Sequence, residues 1–228
     1  MTTFALVHGA GHGAWCWDRI VPRLKERGHS SVAVNLPCED NSATFSTYAN
    51  VVVESLKRID GDVVLVGHSL GGMTVPLVAA RRPVKRLVFL CAVLPIPGAL
   101  PFGPDPEAPP STAPGLELEE HDDRTISFTP ASAASHLYNR CAPADVRWAV
   151  ALLRRQSRTP NHDVCPLPAW PDVDRIYIGC TDDRIVMPEY ARYVARSRAG
   201  VDATMIDADH SPFLSVPEAL ADVLTTFA

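Results

Sequence analysis

Ser69 lies at the centre of Gly67-His68-Ser69-Leu70-Gly71-Gly72, a Gly-x-Ser-x-Gly pattern between an apolar, β-branched run and a helix-forming stretch. A serine on such a strand-to-helix turn presents its Oγ at the carboxyl edge of a sheet, and the flanking glycines let neighbouring backbones come close. The N–H of Leu70, at the start of a helix, points to the same spot and can stabilise an oxyanion. Serine is a weak nucleophile at its free pKa, so this chemistry needs a base, itself oriented by an acid. His210, in Asp207-Ala208-Asp209-His210-Ser211-Pro212, supplies the base, and Asp182 or Asp183 the acid. They follow the strand-like runs Ala203 to Ile206 and Arg175 to Gly179 respectively, in the chain order Ser, acid, His that accompanies this turn. The second oxyanion donor falls to the loop after the first strand, where Ala10 sits between Gly9 and Gly11. Together these groups describe acyl transfer through a serine nucleophile.

Two other readings of the same loop are weaker. Gly9-Ala10-Gly11-His12-Gly13-Ala14 fits the dinucleotide pattern G-x-G-x-x-A, but the second strand ends Val34-Asn35-Leu36-Pro37 with no acid for a ribose, and Glu39 comes only after the proline. His8 and His12 invite a metal, yet they lie on a loop without a nearby Cys or carboxylate partner. We therefore expect no metal and no organic cofactor. Hydrogen bonding of the loop is the simpler role for both histidines.

These residues need a scaffold of alternating strands and helices. Phe4 to Val7, Ser31 to Leu36, Asp62 to Val66, Arg86 to Val93, Arg175 to Gly179 and Ala203 to Ile206 read as strands. Their continuous apolar character suits a parallel sheet covered on both faces. Between them Trp15 to Arg27, Thr47 to Ile59, Leu70 to Arg81, Pro188 to Ser197 and Pro217 to Phe227 read as helices. Pro76 falls inside the third of these, where it predicts a kink. The order implies a three-layer α/β domain around a mostly parallel sheet of about six strands. The alternation breaks from Pro95 to about Gly115, where prolines dominate, and an acidic patch from Glu117 to Asp123 follows. Pro130 to Tyr138 and Ala144 to Arg155 look helical. Residues 95–168 therefore read as an insertion able to form a lid, with residues 1–94 and 169–228 as the core.

A chain of 228 residues suits one such domain. A net charge of −5 provides no basic field, which argues against nucleic acid as a partner. No apolar run approaches the roughly 20 residues that span a bilayer, and the N-terminus lacks the marks of a signal peptide. Six cysteines without a C-x-x-C pair read as reduced thiols, so a cytoplasmic protein acting on a small molecule is expected. The oligomeric state is open, a homodimer included.

The motifs from His8 to Trp15, Gly67 to Met73, Thr181 to Val186 and Asp209-His210 resemble the α/β-hydrolase superfamily. Within it they are similar to the branch of plant methyl-ester esterases of the salicylate-binding type, hydroxynitrile lyases and bacterial carboxylesterases. The resemblance covers both ends of the chain well and the insertion poorly. It implies Ser69 as nucleophile, His210 as base, and the amides of Ala10 and Leu70 as oxyanion donors. In this branch the acid is followed, two residues on, by an apolar pair leading to a proline. Asp183-Arg184-Ile185-Val186-Met187-Pro188 fits that spacing, which selects Asp183 over Asp182. The lyases carry Lys after the catalytic His and Thr after the first-loop His. Here those positions are Ser211 and Gly9, which we read as substrate-facing and as favouring ester hydrolysis. The alternatives are a lyase or natural-product tailoring reaction on the same triad, or a ligand-binding receptor on a hydrolase scaffold with little turnover.

Overall fold

The computed structural model describes all residues, 1–228. Its strands in chain order are β1 (Thr3–Val7), β2 (Ser30–Val34), β3 (Val63–His68), β4 (Arg86–Leu90), β5 (Leu118–Glu120), β6 (Thr125–Phe128), β7 (Gln156–Ser157), β8 (Asp174–Cys180) and β9 (Ala203–Ile206). Six of them form one all-parallel sheet in the order β2-β1-β3-β4-β8-β9. The chain runs outward from β1 to β2, then returns to pair β3 on the other side of β1. The loops after β1 and β3 therefore leave the sheet at the point where the strand order reverses, the usual place for a ligand crevice.

Alternation along each strand feeds two cores. Ala5, Leu65, Phe89 and Tyr177 pack with Tyr48 and Val52 of the Phe45–Ser55 helix and with Val194 of the Pro188–Val194 helix. Their neighbours Phe4, Leu6, Val64, Val88 and Ile178 face the opposite side, against Ile20 and Leu24 of the Ile20–Glu26 helix and Leu220 of the Pro217–Thr225 helix. Because each fully buried aliphatic or aromatic side chain is worth about 1.5–3 kcal/mol, a strand apolar on both faces is stable only when covered on both. This is the expected three-layer arrangement.

Several helices differ from their sequence periodicity for local reasons. The second begins at Phe45 because Thr44 and Thr47 cap each other reciprocally: Thr47 N–H donates to Thr44 Oγ1 at 3.2 Å and Thr44 N–H to Thr47 Oγ1 at 3.1 Å. Pro76 kinks nothing. The stretch expected as one helix is a 3-10 turn, Ser69–Met73, followed by a separate helix, Val75–Ala79, and Pro76 stands in the first turn of the latter, where its missing N–H is not needed.

The excursion between β4 and β8 has no helix or strand from Pro95 to Gly115, as its prolines require. It then forms a small antiparallel sheet, β5-β6-β7, that the sequence reading missed. β5 arises inside the acidic patch and is exposed throughout, so no hydrophobic alternation marks it. The two expected helices shorten to Pro130–Ser132, continued by a wide turn over Ala133–Leu137, and to Pro143–Leu152. The excursion is tied to the first loops of the core. Tyr138 bonds His12, Arg154 N–H donates to the Gly11 carbonyl at 2.7 Å, and Ser157 N–H donates to the Cys38 carbonyl at 2.7 Å. No helix is long and apolar enough to cross a membrane.

Candidate active site

Ser69 follows β3 directly and adopts φ +50°, a left-handed conformation costly for any residue with a Cβ. The strain holds because the turn is wedged between backbones. A Cβ added to Gly71 would stand 2.7 Å from the Val7 carbonyl oxygen and 2.8 Å from that of His8, and one added to Gly9 would stand 2.6 Å from Ser69 Cβ. Glycine at both positions lets the loop after β1 close onto the serine.

His210 and Asp183 come to the same sheet edge from the loops after β9 and β8. Both are almost wholly buried. His210 Nδ1 lies 2.9 and 3.0 Å from the two Asp183 oxygens, and because a carboxylate only accepts, Nδ1 carries the proton. Asp183 Oδ1 also accepts from the N–H groups of Ile185 and Val186, each at 2.8 Å, which anchors the carboxylate independently of the imidazole. Asp182 does not reach His210; it is half-exposed beside Arg184. Asp209, next to His210, is fully buried but accepts from Arg140 N–H, Ser211 N–H and Ser215 Oγ, and so shapes its own loop.

Three more buried histidines brace this region. His8 Nδ1 donates to the Gly9 carbonyl at 2.8 Å while Nε2 accepts from Leu36 N–H at 3.0 Å. His12 Nδ1 donates to the Ala10 carbonyl at 2.9 Å, and Nε2 accepts from the Tyr138 hydroxyl at 2.9 Å. His68 Nε2 donates to the backbone carbonyl of His210 at 2.9 Å. Burial pushes His8 down to about 4, His12 down to about 3, and His68 well below the ordinary imidazole value. All three are therefore neutral wedges near pH 7, the loop-holding role expected for His8 and His12.

Ser69 and His210 open onto a common cavity of about 190 Å³. Its walls are mostly apolar: Val93, Phe102, Ile126, Phe128, Leu137 and Ile185 contribute, four of them from the excursion. No hydrogen bond joins Ser69 Oγ to the imidazole, a looseness common before a substrate draws the pair together. Ala10 and Leu70 also line the cavity, and the Ala10 N–H donates to no protein group. Gly9 and Ser211 do not. Gly9 packs behind Ser69, and Ser211 is fully buried with an unpartnered Oγ, so neither forms the cavity wall that the sequence reading expected them to face. Four polar wall residues escaped that reading, Ser111, Thr112, Gln156 and Asn161. Each sits in the excursion with no motif around it, so nothing short of the fold could bring them to Ser69.

One trio could in principle share a cation: Cys91, Asp183 and His210 have potential ligand atoms within 4.8 Å of one another. The donors fit poorly. Asp183 and His210 Nδ1 are already engaged with each other, and burial raises the Cys91 thiol well above its ordinary pKa, away from the thiolate a metal requires.

The sequence model of the alpha/beta hydrolase family matches residues 4–223. The chain belongs to that family. This hydrolase is 31% identical over 248 residues to norfluorocurarine synthase 2 from Strychnos sp, covering 97% of this chain and 93% of that protein. It is 30% identical over 264 residues to salicylic acid-binding protein 2 from Nicotiana tabacum, covering 99% and 96%. Among solved structures, a polyneuridine aldehyde esterase mutant superposes with a TM-score of 0.82 at 25% identity, covering 100% of both chains. The hydrolase is thus a carboxylesterase-like member of its family, as its sequence motifs imply.

Proposed function

We propose that this hydrolase cleaves small to medium neutral carboxylic esters through an acyl-enzyme on Ser69. The observation that carries the reading is the buried Asp183–His210 pair, bonded at 2.9 Å and opening on the same apolar cavity as the strained Ser69. The similarity to an esterase structure over the full chain supports the same class.

In this mechanism His210 Nε2 takes the Ser69 proton as Oγ attacks the ester carbonyl. Asp183 holds the imidazole with its proton on Nδ1 and stabilises the imidazolium that forms. The tetrahedral oxyanion is received by the N–H groups of Leu70 and Ala10, each worth roughly 3 kcal/mol in the transition state. The imidazolium then protonates the leaving alkoxide, and the same nitrogen activates water to free the acid. Residues 95–168 act as a cap whose apolar side chains exclude water and select an uncharged substrate. No cofactor takes part. Nothing in the site suits nucleic acid.

The test is a turnover panel of esters, lactones and thioesters beside fluorophosphonate labelling. Wild-type protein turns over esters and labels at one site, and Ser69→Ala does neither. Labelling of Ser69→Ala at the wild-type rate overturns the assignment. Cleavage of a cyanohydrin without any ester would replace hydrolysis by lyase chemistry on the same triad, and one acyl equivalent without steady turnover would indicate a receptor.

A further inference from the structure

The cavity beside Ser69 is apolar except for a few side chains, and most of these are already satisfied. Ser111 and Thr112 face each other at 3.4 Å, and Thr112 Oγ1 donates to the Ile185 carbonyl at 3.0 Å. Gln156 is different. The residue is 4% exposed, and its Nε2 donates both to the Tyr48 hydroxyl at 3.2 Å and to the Ser157 carbonyl at 3.0 Å. A backbone carbonyl only accepts, so the contact with Ser157 fixes which end of the carboxamide is nitrogen. The other end, Oε1, accepts from no protein donor, and Gln156 is one of the residues that line the cavity. Asn161 lines the same cavity, and its Oδ1 is buried without a hydrogen-bond partner. Gln156 is held by structure rather than free to rotate away: it is paired in β7 with Ile126 of β6 and latched to the core helix through Tyr48.

A carboxamide oxygen can only accept. A simple alkyl ester also offers only acceptors, and would leave both oxygens desolvated and unpaired. An anionic substrate would meet them with the wrong sign. We propose that Gln156, assisted by Asn161, is a specificity determinant that accepts a hydrogen bond from a hydroxyl or N–H group on the substrate. The preferred substrate is then a mostly apolar, uncharged ester carrying one hydrogen-bond donor away from the scissile bond. This rests on Ser69 acting as the esterase nucleophile, and it goes further by naming what the acyl or alcohol group must carry. Sites built to bond a substrate's polar group discriminate strongly against analogues that lack it, because a buried partner is then left unsatisfied.

The experiment compares matched pairs of esters, one with a hydroxyl or amide N–H and one with hydrogen or N-methyl in its place, the donor stepped along the acyl and alcohol chains. At the favoured position the wild-type kcat/KM ratio of donor to non-donor ester should exceed about 10-fold, the scale of one unsatisfied buried polar group. Gln156→Met, which keeps the side chain's length without its acceptor, should bring the ratio close to one. Since that change also removes a donor from Tyr48, Asn161→Ala is made in parallel, because the Asn161 carboxamide supports no other part of the fold; it should lower the ratio while leaving the melting temperature in place. Binding of matched hydroxy and deoxy methyl ketones to Ser69→Ala protein, read by calorimetry, makes the same comparison without turnover. A wild-type ratio of one at every position, in both turnover and binding, overturns the proposal. So does a ratio unchanged in both variants. Turnover of the non-donor esters with no donor preference would defeat the specificity claim alone, whereas absence of any ester turnover with a donor preference in ketone binding would defeat only the esterase reading.

Discussion

His68 Nε2 donates a hydrogen bond to the backbone carbonyl of His210 across 2.9 Å, so the residue before the serine holds the main chain of the residue proposed as its base. Both are buried, and the rings lie 4.7 Å apart. The bond sets the distance between two loops that reach the sheet edge from β3 and β9. In a reaction where a displacement of about 1 Å can cost on the order of 100-fold, such a tie is a positioning device.

His68→Leu should lower kcat by about 10-fold or more with KM little changed, since the tie governs alignment of the base and not the cavity wall. His68→Gln, whose amide can reach the same carbonyl, should recover part of the loss. Steady-state kinetics on one good ester, with the kcat pH profile measured for each variant, separates misalignment from simple unfolding. Equal kcat in the Leu variant and wild type would show that the bond has no catalytic consequence.

Asp183→Asn should preserve the fold and reduce kcat by about 10⁴-fold. The Asn oxygen can keep the N–H groups of Ile185 and Val186, which now bond Oδ1, but its NH₂ would then face His210 Nδ1 and force the proton to Nε2. Circular dichroism with ester turnover is the check. Because Asp182 is half-exposed and away from the imidazole, Asp182→Asn should change kcat less than about twofold.

Acid should destabilise the protein well before its carboxylates titrate. His8 and His12 sit at about 4 and about 3 when folded, against 6.5 in an open chain. Below pH 6.5 the unfolded chain binds protons that the folded chain refuses. Stability is therefore complete above that pH and lost as pH falls toward the folded values. By pH 5 the loss is about 2 kcal/mol for each of the two residues. Urea midpoints between pH 7 and 5 should decline, and His8→Gln should flatten part of the slope. A midpoint constant over that range would contradict the buried neutral state.

Gly71→Ala should cost about 1–3 kcal/mol, because its Cβ would press on the Val7 and His8 carbonyl oxygens at 2.7 and 2.8 Å and neither backbone can yield easily. For a chain of this length that lowers Tm by about 2–4 °C per kcal/mol. Gly103→Ala is the control: its nearest neighbour would be 3.6 Å away, and its Tm should stay within about 1–2 °C of wild type. Calorimetry of the two variants decides.

The parts of this protein legible in its sequence are those where local chemistry and final position coincide. The inner strands β1, β3 and β4 appeared as apolar runs, since a strand covered on both faces leaves no choice of residue. The Ser69 turn was readable because φ +50° between crowding backbones demands glycines nearby. The place of His210 after its strand left Asp182 and Asp183 as its possible partners, and the resemblance to the family selected Asp183, which the fold brings to 2.9 Å. Pro76 was misread because periodicity does not show where one helical turn ends and the next begins; a proline is harmless at the one and disruptive at the other.

Tertiary structure alone decided the rest. β5 and β7 hold three and two residues and are strands only because β6 lies between them. Gly9 and Ser211 were set one residue from the chemistry by sequence, yet neither is among the residues that line the cavity: Gly9 packs against Ser69 and Ser211 is fully buried. Gln156 and Asn161 stand 87 and 92 positions after Ser69 (156 − 69 and 161 − 69), and no pattern along the chain marks them. Such contacts join segments far apart in the chain, and only the packed excursion settles which polar atoms meet there and which remain unpaired. The Ser69 turn and the proposed acid and base can thus be picked out along the chain, whereas the cavity that confronts them is a property of the folded chain.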